Sequence, residues 1–180
     1  MGYTHYWSYN PEAPGFTEAF AKLQMDTLAI SAFARELIPE ARVGYISTDD
    51  NGKETINDNI CEEGMINFNG IGPDGKNFGN YSYETFWMSV DPMGIHQGDG
   101  NYSEYIRENY EKDGCYSDFC KTAHRPYDQV VCAVLLRANE LIPEFSVGSD
   151  GNWSQWRAGR DLYERIFNKE APCPFKKGDA

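Results

Sequence analysis

The apolar residues between positions 17 and 37 recur at the spacing of an α-helix. They form one stripe along a single helix face: Phe20, Leu23, Thr27, Ile30, Ala34 and Leu37. Thr17 carries a hydroxyl suited to an N-cap, and Pro39 cannot continue a helix. The pattern therefore predicts a helix over residues 17–37 that ends just before Pro39.

Two later segments show the same periodicity. Residues 127–141 carry a broad apolar face made of Val130, Val131, Val134, Leu135, Ala138 and Leu141. Pro126 suits the first position of that helix, because a helix start needs no backbone donor there. A third helix is predicted over residues 154–168.

Other segments alternate at the period of a strand. In the opening heptapeptide, MGYTHYW, this period places Tyr3, His5 and Trp7 on one face. Four more strands are predicted at RVGYIS, KETIND, MINFNGI and ETFWMSV, the first two joined by an Asp-Asn-Gly turn. Together these elements predict a single α+β domain over residues 1–180, with an antiparallel or mixed sheet of about four to six strands covered by two or three helices.

Residues 91–125 interrupt the pattern, since they are rich in Gly, Asn, Asp and Tyr. We predict a long irregular loop there. A loop of this length inside a compact domain is either functional or conceals an element that the pattern does not reveal. The end of the chain, about residues 170–180, contains two prolines and is predicted to be extended.

One sequence unit occurs twice, as ARELIPEARVGYISTDDN and as ANELIPEFSVGSDGN. Both copies predict a helix end, a proline stop, a short strand and an Asp-rich turn. Two explanations are open. The repeat is an internal duplication, or the same helix-stop and turn residues occur independently at two helix-to-strand connections.

The net charge of the chain excludes some classes of binding partner. The formal net charge is −12, from 16 Lys and Arg against 28 Asp and Glu. A nucleic-acid groove needs a basic stripe, so a nucleic-acid polymer is not an expected partner. The chain has no apolar stretch of about 18 residues and no basic segment followed by an apolar run, so we expect no membrane partner and a cytoplasmic location. A small anion held in a local basic pocket stays compatible with the overall acidity.

The five cysteines are an odd number, which fits reduced thiols rather than a disulfide framework. Cys115, Cys120 and His124 have a spacing that could begin a zinc site, but a fourth ligand would have to come from a distant cysteine. Cys120 could also act as a nucleophile with His124 or His5 as its base. We expect neither, and predict no metal and no cofactor.

The segment FCKTAHRPYD places Lys121, Thr122, His124 and Arg125 directly before a predicted helix start. Backbone N–H groups at a helix start, the positive end of its dipole and nearby cations together favour an anion. Lys121, Thr122 and Arg125 are therefore candidate phosphate or carboxylate ligands. The alternative is that both cations pair with neighbouring acidic residues.

The opening strand offers a second set of candidates. Tyr3 and Trp7 could stack on a planar ligand, and His5 could contact it or serve as a general base. The structural alternative is a histidine that lies within an aromatic sheet face and hydrogen-bonds there.

The segments MGYTHYW, FCKTAHRPYD and SDGNW resemble a family of small phage and bacterial proteins. The resemblance covers most of the chain, and the opening heptapeptide is its most specific part. It implies no catalytic residue, because no activity is established for that family. It does imply a cytoplasmic protein carried by phages, and hence a role in the contest between phage and host defence. The family is usually more basic after Lys-Thr-Ala, where this chain has His124 and Arg125; Lys121 and Arg125 are retained.

These observations favour a non-enzymatic protein that sequesters a small, planar, anionic ligand such as a nucleotide signal, a phage anti-defence sponge. Its ring would stack on Tyr3, Trp7 or a neighbouring aromatic residue, and its phosphate would meet Lys121, Thr122 and Arg125. One alternative is an enzyme that acts on a nucleotide or phosphorylated compound with His5 or His124 as acid or base. Another is an acidic protein that inhibits a host partner. The sequence leaves the oligomeric state open.

Overall fold

The computed structural model describes residues 2–75, 79–92, 107–108 and 110–175. Its strands are β1 (Thr4–Tyr9), β2 (Val43–Thr48), β3 (Glu54–Asn57), β4 (Cys61–Glu62), β5 (Met65–Gly70), β6 (Phe86–Ser89), β7 (Tyr116–Lys121) and β8 (Ser146–Ser149). Its helices are α1 (Phe16–Leu37), α2 (Asp128–Leu141) and α3 (Arg157–Phe167), with a short 3-10 helix at Pro39–Ala41. The predicted α+β class is confirmed.

The strands form two antiparallel sheets rather than one. The smaller sheet has the order β7-β1-β8, so the N-terminal strand lies in its centre. In the larger sheet the order is β3-β2-β5-β4, and β6 also pairs with β5. Aromatic rings connect the two sheets, because Trp7 on β1 packs against Phe86 on β6, and Phe86 stacks on Phe68 of β5.

Helix α2 is the centre of the helical layer. Every residue from Val130 to Ala138 is buried, and both α1 and α3 pack against α2. The approach of α3 depends on Gly159, because a Cβ atom at that position would overlap the Cβ of Cys132. Burial on this scale explains why the predicted apolar face of α2 is so broad.

The helix bounds differ from the prediction by one to three residues, since α1 begins at Phe16, α2 begins at Asp128, and α3 spans Arg157–Phe167 rather than residues 154–168. The N-cap of α1 is Gly15, at φ 82°, so Thr17 lies inside the helix rather than capping it. The N-cap of α2 is Tyr127, so Pro126 lies one residue before the cap rather than at the first helical position. Glycine is suited to a left-handed cap because it has no Cβ to clash.

One strand lies within the stretch predicted to be irregular. β7 pairs with β1 from Tyr116 to Lys121, so the loop prediction was wrong for these residues. The rest of that stretch includes residues 93–106 and 109, which lie outside the described residues, as do residues 176–180 of the predicted tail. None of the helices in the described part of the chain combines the length and apolar character that a bilayer crossing requires.

Candidate functional site

The residues predicted to share one face of the opening segment are all buried, with His5 and Trp7 on β1 and Tyr3 directly before it. Tyr3 is 4% exposed, Trp7 is 3% exposed and His5 is fully buried between them. The Trp7 ring lies 4.9 Å from that of Phe86, within the core. Trp7 therefore has no exposed face on which a ligand could stack, whereas Tyr3 and His5 border a polar cluster.

His5 forms hydrogen bonds at both ring nitrogens. Its Nε2 lies 2.7 Å from Oδ1 of Asp128, and its Nδ1 lies 3.0 Å from Oγ of Ser149. The Sγ of Cys132 is 3.6 Å from Nε2. We call His5, Asp128 and Cys132 the His5 cluster.

The partners of Ser149 determine which His5 nitrogen carries the proton. The Ser149 Oγ accepts the Gly151 backbone N–H at 3.0 Å and the Trp156 indole N–H at 3.2 Å. Because a hydroxyl oxygen has two lone pairs, the hydroxyl hydrogen of Ser149 is left to donate to Nδ1 of His5. The neutral ring therefore carries its hydrogen on Nε2 and donates it to Asp128.

The first two turns of α2 present the other two members of the cluster. Asp128 and Cys132 are four residues apart, so their side chains lie on one helix face. Asp128 also accepts a hydrogen bond from the Thr122 hydroxyl, and its side chain is 17% exposed. Burial, followed by the nearby Asp128 carboxylate, raises the pKa of the Cys132 thiol well above its usual value. That thiol is therefore protonated and is not a nucleophile at neutral pH.

A tight turn covers the cluster. Arg125 N–H donates to Thr122 O at 2.9 Å, and the two central residues, Ala123 and His124, have φ angles of 50° and 56°. Positive φ at both central positions defines a type I′ turn, which normally takes Asn or Gly. The His124 ring is stacked on Tyr3 with 3.7 Å between centroids. Backbone strain is thus located next to the most polar part of the interior.

The three predicted anion ligands point in different directions. The Lys121 side chain packs over Gly2. The Thr122 hydroxyl is committed to Asp128, and Arg125 reaches Asn80 with N···O distances of 3.4 and 3.5 Å. The structure therefore brings Thr122 together with Tyr3 and His5, and leaves the two cations outside that group.

The start of α2 also has few free donors. The Asp128 N–H donates to Arg125 O, and the N–H groups of Val130 and Val131 both donate to Tyr127 O. An anion at this helix start would have to compete with these bonds and with the Asp128 carboxylate. The geometry at this helix start therefore gives little support to the predicted phosphate contact.

The cysteines are free, as predicted. Cys120 is buried, with its Sγ 3.4 Å from Glu84 O, and burial raises the pKa of its thiol. Within the described residues, the His, Cys, Asp and Glu side chains close enough to hold one metal ion are those of the His5 cluster. The sequence had instead suggested Cys115, Cys120 and His124.

A groove lies between the three helices, on another side of α2. Its volume is about 250 Å³. We call it the helix groove, and its lining consists of Phe33, Leu37, Ile38, Gln129, Ala158, Asp161, Leu162 and Arg165. One wall is therefore apolar, and an amide and two charged groups lie along the rest.

Charge within the helix groove is not evenly matched. Asp161 faces Arg157, with 3.8 Å between Oδ2 and Nε. Arg165 takes part in none of the ion pairs found among the described residues. Its guanidinium is exposed at the edge of the groove, where it is available to an anion.

Comparison of the chain with protein-family models, with curated proteins and with solved structures finds no match. The interpretation of both sites therefore rests on their geometry.

Sequence reasoning missed Asp128, Ser149 and the helix groove. Asp128 lies at a helix start, two residues after Pro126, where an acidic residue is expected for the dipole alone. Ser149 belongs to an Asp-rich turn, and Cys132 lies among valines and resembles any core residue. Phe33 and Arg165 come from different helices, and only the packing of α3 brings them together.

Proposed function

We propose that the protein binds a small, planar, anionic molecule such as a nucleotide in the helix groove and does not turn it over. The observation that carries the proposal is an apolar wall facing an arginine that has no acidic partner among the described residues. Ligand sites are typically apolar clefts with a few placed polar groups.

Each part of the helix groove would have a separate role. Phe33 offers a ring face to a planar group, with Leu37 and Leu162 beside it. Gln129 would hydrogen-bond a ring edge, and Arg165 would meet the phosphate or carboxylate. The volume is slightly below the common range for ligand pockets, about 300–1,000 Å³. This size favours a mononucleotide over a larger compound.

Sequestration is favoured over turnover by the arrangement of the titratable groups. The acidic and basic groups that line the groove, Asp161 and Arg165, do not form an acid–base pair with a nucleophile. His5 is fully buried with both ring nitrogens engaged, so a substrate could reach neither nitrogen without displacing Asp128 or Ser149. The role we propose is therefore that of a protein that removes a nucleotide signal from solution.

The test uses adenosine 5′-monophosphate as a probe and adenosine as its uncharged counterpart, both measured by isothermal titration calorimetry. Arg165→Gln should weaken binding of the monophosphate about tenfold or more, because a charge-assisted hydrogen bond contributes about 1.5–3 kcal/mol. Binding of adenosine should be unchanged. Arg157→Gln is the matched control, since Arg157 lies two turns away on the same helix and faces Asp161.

Equal weakening in the two arginine variants would contradict the assignment of the groove. Native mass spectrometry of protein purified from cells would identify a retained ligand directly. Incubation of the probe with the protein should return it intact, and conversion to product would contradict sequestration.

A further inference from the structure

The His5 cluster combines three kinds of metal-ligand atom. The imidazole Nε2, an Asp128 carboxylate oxygen and the Cys132 Sγ all lie within 4.8 Å of one another. Two of them come from successive turns of a rigid helix and the third from the central strand of a sheet. The backbone of each element is thus fixed independently of any bound ion.

The distances already approach those of a tetrahedral zinc site. Zinc bonds of about 2.0–2.3 Å give ligand-to-ligand separations of roughly 3.4–3.6 Å. The Nε2···Sγ distance is 3.6 Å, and the Sγ to Asp128 Oδ2 distance is 3.9 Å. Within the part of the chain that the structure describes, the contact found for Oδ2 is this long one to the thiol, while Oδ1 accepts bonds from His5 and Thr122. Coordination through Oδ2 would therefore leave the Thr122 hydrogen bond in place.

Among the described residues, the ion pair found for Asp128 is the one with the His5 ring, and no Lys or Arg side chain pairs with the cluster. A positive ion would stabilise the partly buried Asp128 carboxylate, because desolvation penalises an isolated negative charge. Zinc binds the thiolate, so binding would displace the Cys132 thiol proton to solvent. From these observations we propose that His5, Asp128 and Cys132 bind a zinc ion.

The surrounding residues fit this role. Ligating histidines usually bond their second ring nitrogen to an outer partner, and here Nδ1 faces the Ser149 hydroxyl. Zinc on Nε2 would place the ring hydrogen on Nδ1, which faces Ser149 Oγ. Because that oxygen already accepts the Gly151 and Trp156 N–H groups, one of these two bonds would have to be released.

The fourth zinc position would face the exposed edge of Asp128. That side chain is 17% exposed, and the other two ligands are fully or almost fully buried. An ion would enter by this edge. A water molecule in the fourth position is the arrangement of zinc sites with three protein ligands.

The experiment measures zinc affinity against a competing chelator and records the absorption spectrum of the protein loaded with cobalt(II). The wild-type protein should bind a single equivalent and show a thiolate-to-cobalt charge-transfer band with the visible bands of a tetrahedral ion. Cys132→Ser should abolish the charge-transfer band. Asp128→Asn should weaken zinc binding by at least about a hundredfold, since loss of an outer-shell partner alone costs 10–100-fold.

Cys120→Ser is the matched control, because Cys120 is also buried but lies outside the cluster; its affinity and spectrum should equal those of the wild type. Asparagine is nearly isosteric with aspartate, so Asp128→Asn still tests the proposal if the Cys132→Ser variant does not fold. Failure of the wild type to bind zinc, or unchanged affinity in both cluster variants, would overturn the proposal. Arg165→Gln should retain zinc binding, which separates this site from the helix groove.

Discussion

Helices α1 and α2 both end in Glu-Leu, are both followed by Ile-Pro-Glu, and have the same backbone cap. The Ile38 N–H donates to Ala34 O at 2.7 Å, and the Ile142 N–H donates to Ala138 O at 2.8 Å. Their surroundings are quite different. Around the end of α1 the side chains are largely in solvent, whereas α3 and the residues after it pack over the end of α2.

Glu36 and Glu140 occupy the same position in the two Glu-Leu-Ile-Pro-Glu segments, and their contacts differ. Glu36 is exposed. Glu140 accepts hydrogen bonds from Arg137, Tyr163 and Lys169. The local sequence thus determines the helix cap. The neighbouring element determines whether a charged residue near that cap contributes to the stability of the folded state.

The largest expected effect comes from the arginines near the two helix ends. Arg137 is 8% exposed and bonds Asp26 at 2.7 Å, so Arg137→Ala would leave a buried carboxylate with a weaker partner. We expect a loss of about 3 kcal/mol in the free energy of unfolding, the lower end of the range for a broken buried pair because Lys22 still faces Asp26. Urea unfolding measures this loss.

Arg35→Ala is the control for α1. Arg35 pairs with Asp58, and both side chains are about half exposed, so the expected loss is about 0–1 kcal/mol. Similar losses in the two variants would show that the ends of α1 and α2 do not differ in this way.

The next effect depends on pH. Burial raises the pKa of Glu140, but the hydrogen bonds from Lys169, Tyr163 and Arg137 outweigh it and hold the value at about 2. An unfolded glutamate titrates near 4.3. Because the folded pKa is the lower one, Glu140 stabilises the protein above pH ~4.3, and this contribution is lost as the pH falls toward about 2. Its side chain is 28% exposed, so solvent screening reduces the contribution to about 1–2 kcal/mol.

Unfolding free energies measured between about pH 6 and pH 2 would test this. Glu140→Gln should be less stable than the wild type near neutrality and should lose less stability on acidification. Glu36→Gln should follow the wild-type curve. The interpretation of Glu140 is wrong if its variant shows the full wild-type acid dependence.

The smallest expected effect on stability comes from glycine substitutions just after the two helices, and it has opposite signs at α1 and α2. After the shared proline, Glu40 lies in a 3-10 helix, while Glu144 has φ 59° and occupies the third position of a tight turn. Glycine relieves left-handed strain of about 1–2 kcal/mol but loses about 0.5–1 kcal/mol in backbone entropy. Glu144→Gly should therefore raise stability by up to about 1 kcal/mol, and Glu40→Gly should lower it by about 0.5–1 kcal/mol. Equal signs in urea midpoints would contradict the turn assignment.

Periodicity predicted the elements whose two faces differ clearly in polarity. The three helices and the strand that carries Tyr3, His5 and Trp7 are of this kind. β7 was missed because its alternation is inverted in the middle: Asp118 points inward, where the Tyr116 hydroxyl bonds it, while Phe119 points outward and is 47% exposed. A period-two search finds no buried face in such a strand.

The sites were harder to predict than the elements. His5 was recognised from its aromatic neighbours on the same strand, which are close in sequence. Its partners Asp128 and Ser149 lie 123 and 144 residues away, and no local pattern connects residues at such separations. The helix groove likewise depends on how α3 packs against α2. Gly159 allows this close packing, but a glycine in the sequence does not by itself predict it.

The position of β1 in the middle of its sheet has a consequence for the order of folding. As the ribosome releases the chain, β1 emerges before the other strands of the domain, yet both of its neighbours in the sheet are made more than a hundred residues later. Helix α1 and the β2–β3 hairpin rely on local contacts and can form early, whereas β1 must wait for β7 and β8, since distant pairings close slowly. The His5 cluster is therefore assembled only when nearly the whole domain has been synthesised. Its formation marks the end of folding, and until then the aromatic face of β1 is exposed to chaperones and to aggregation.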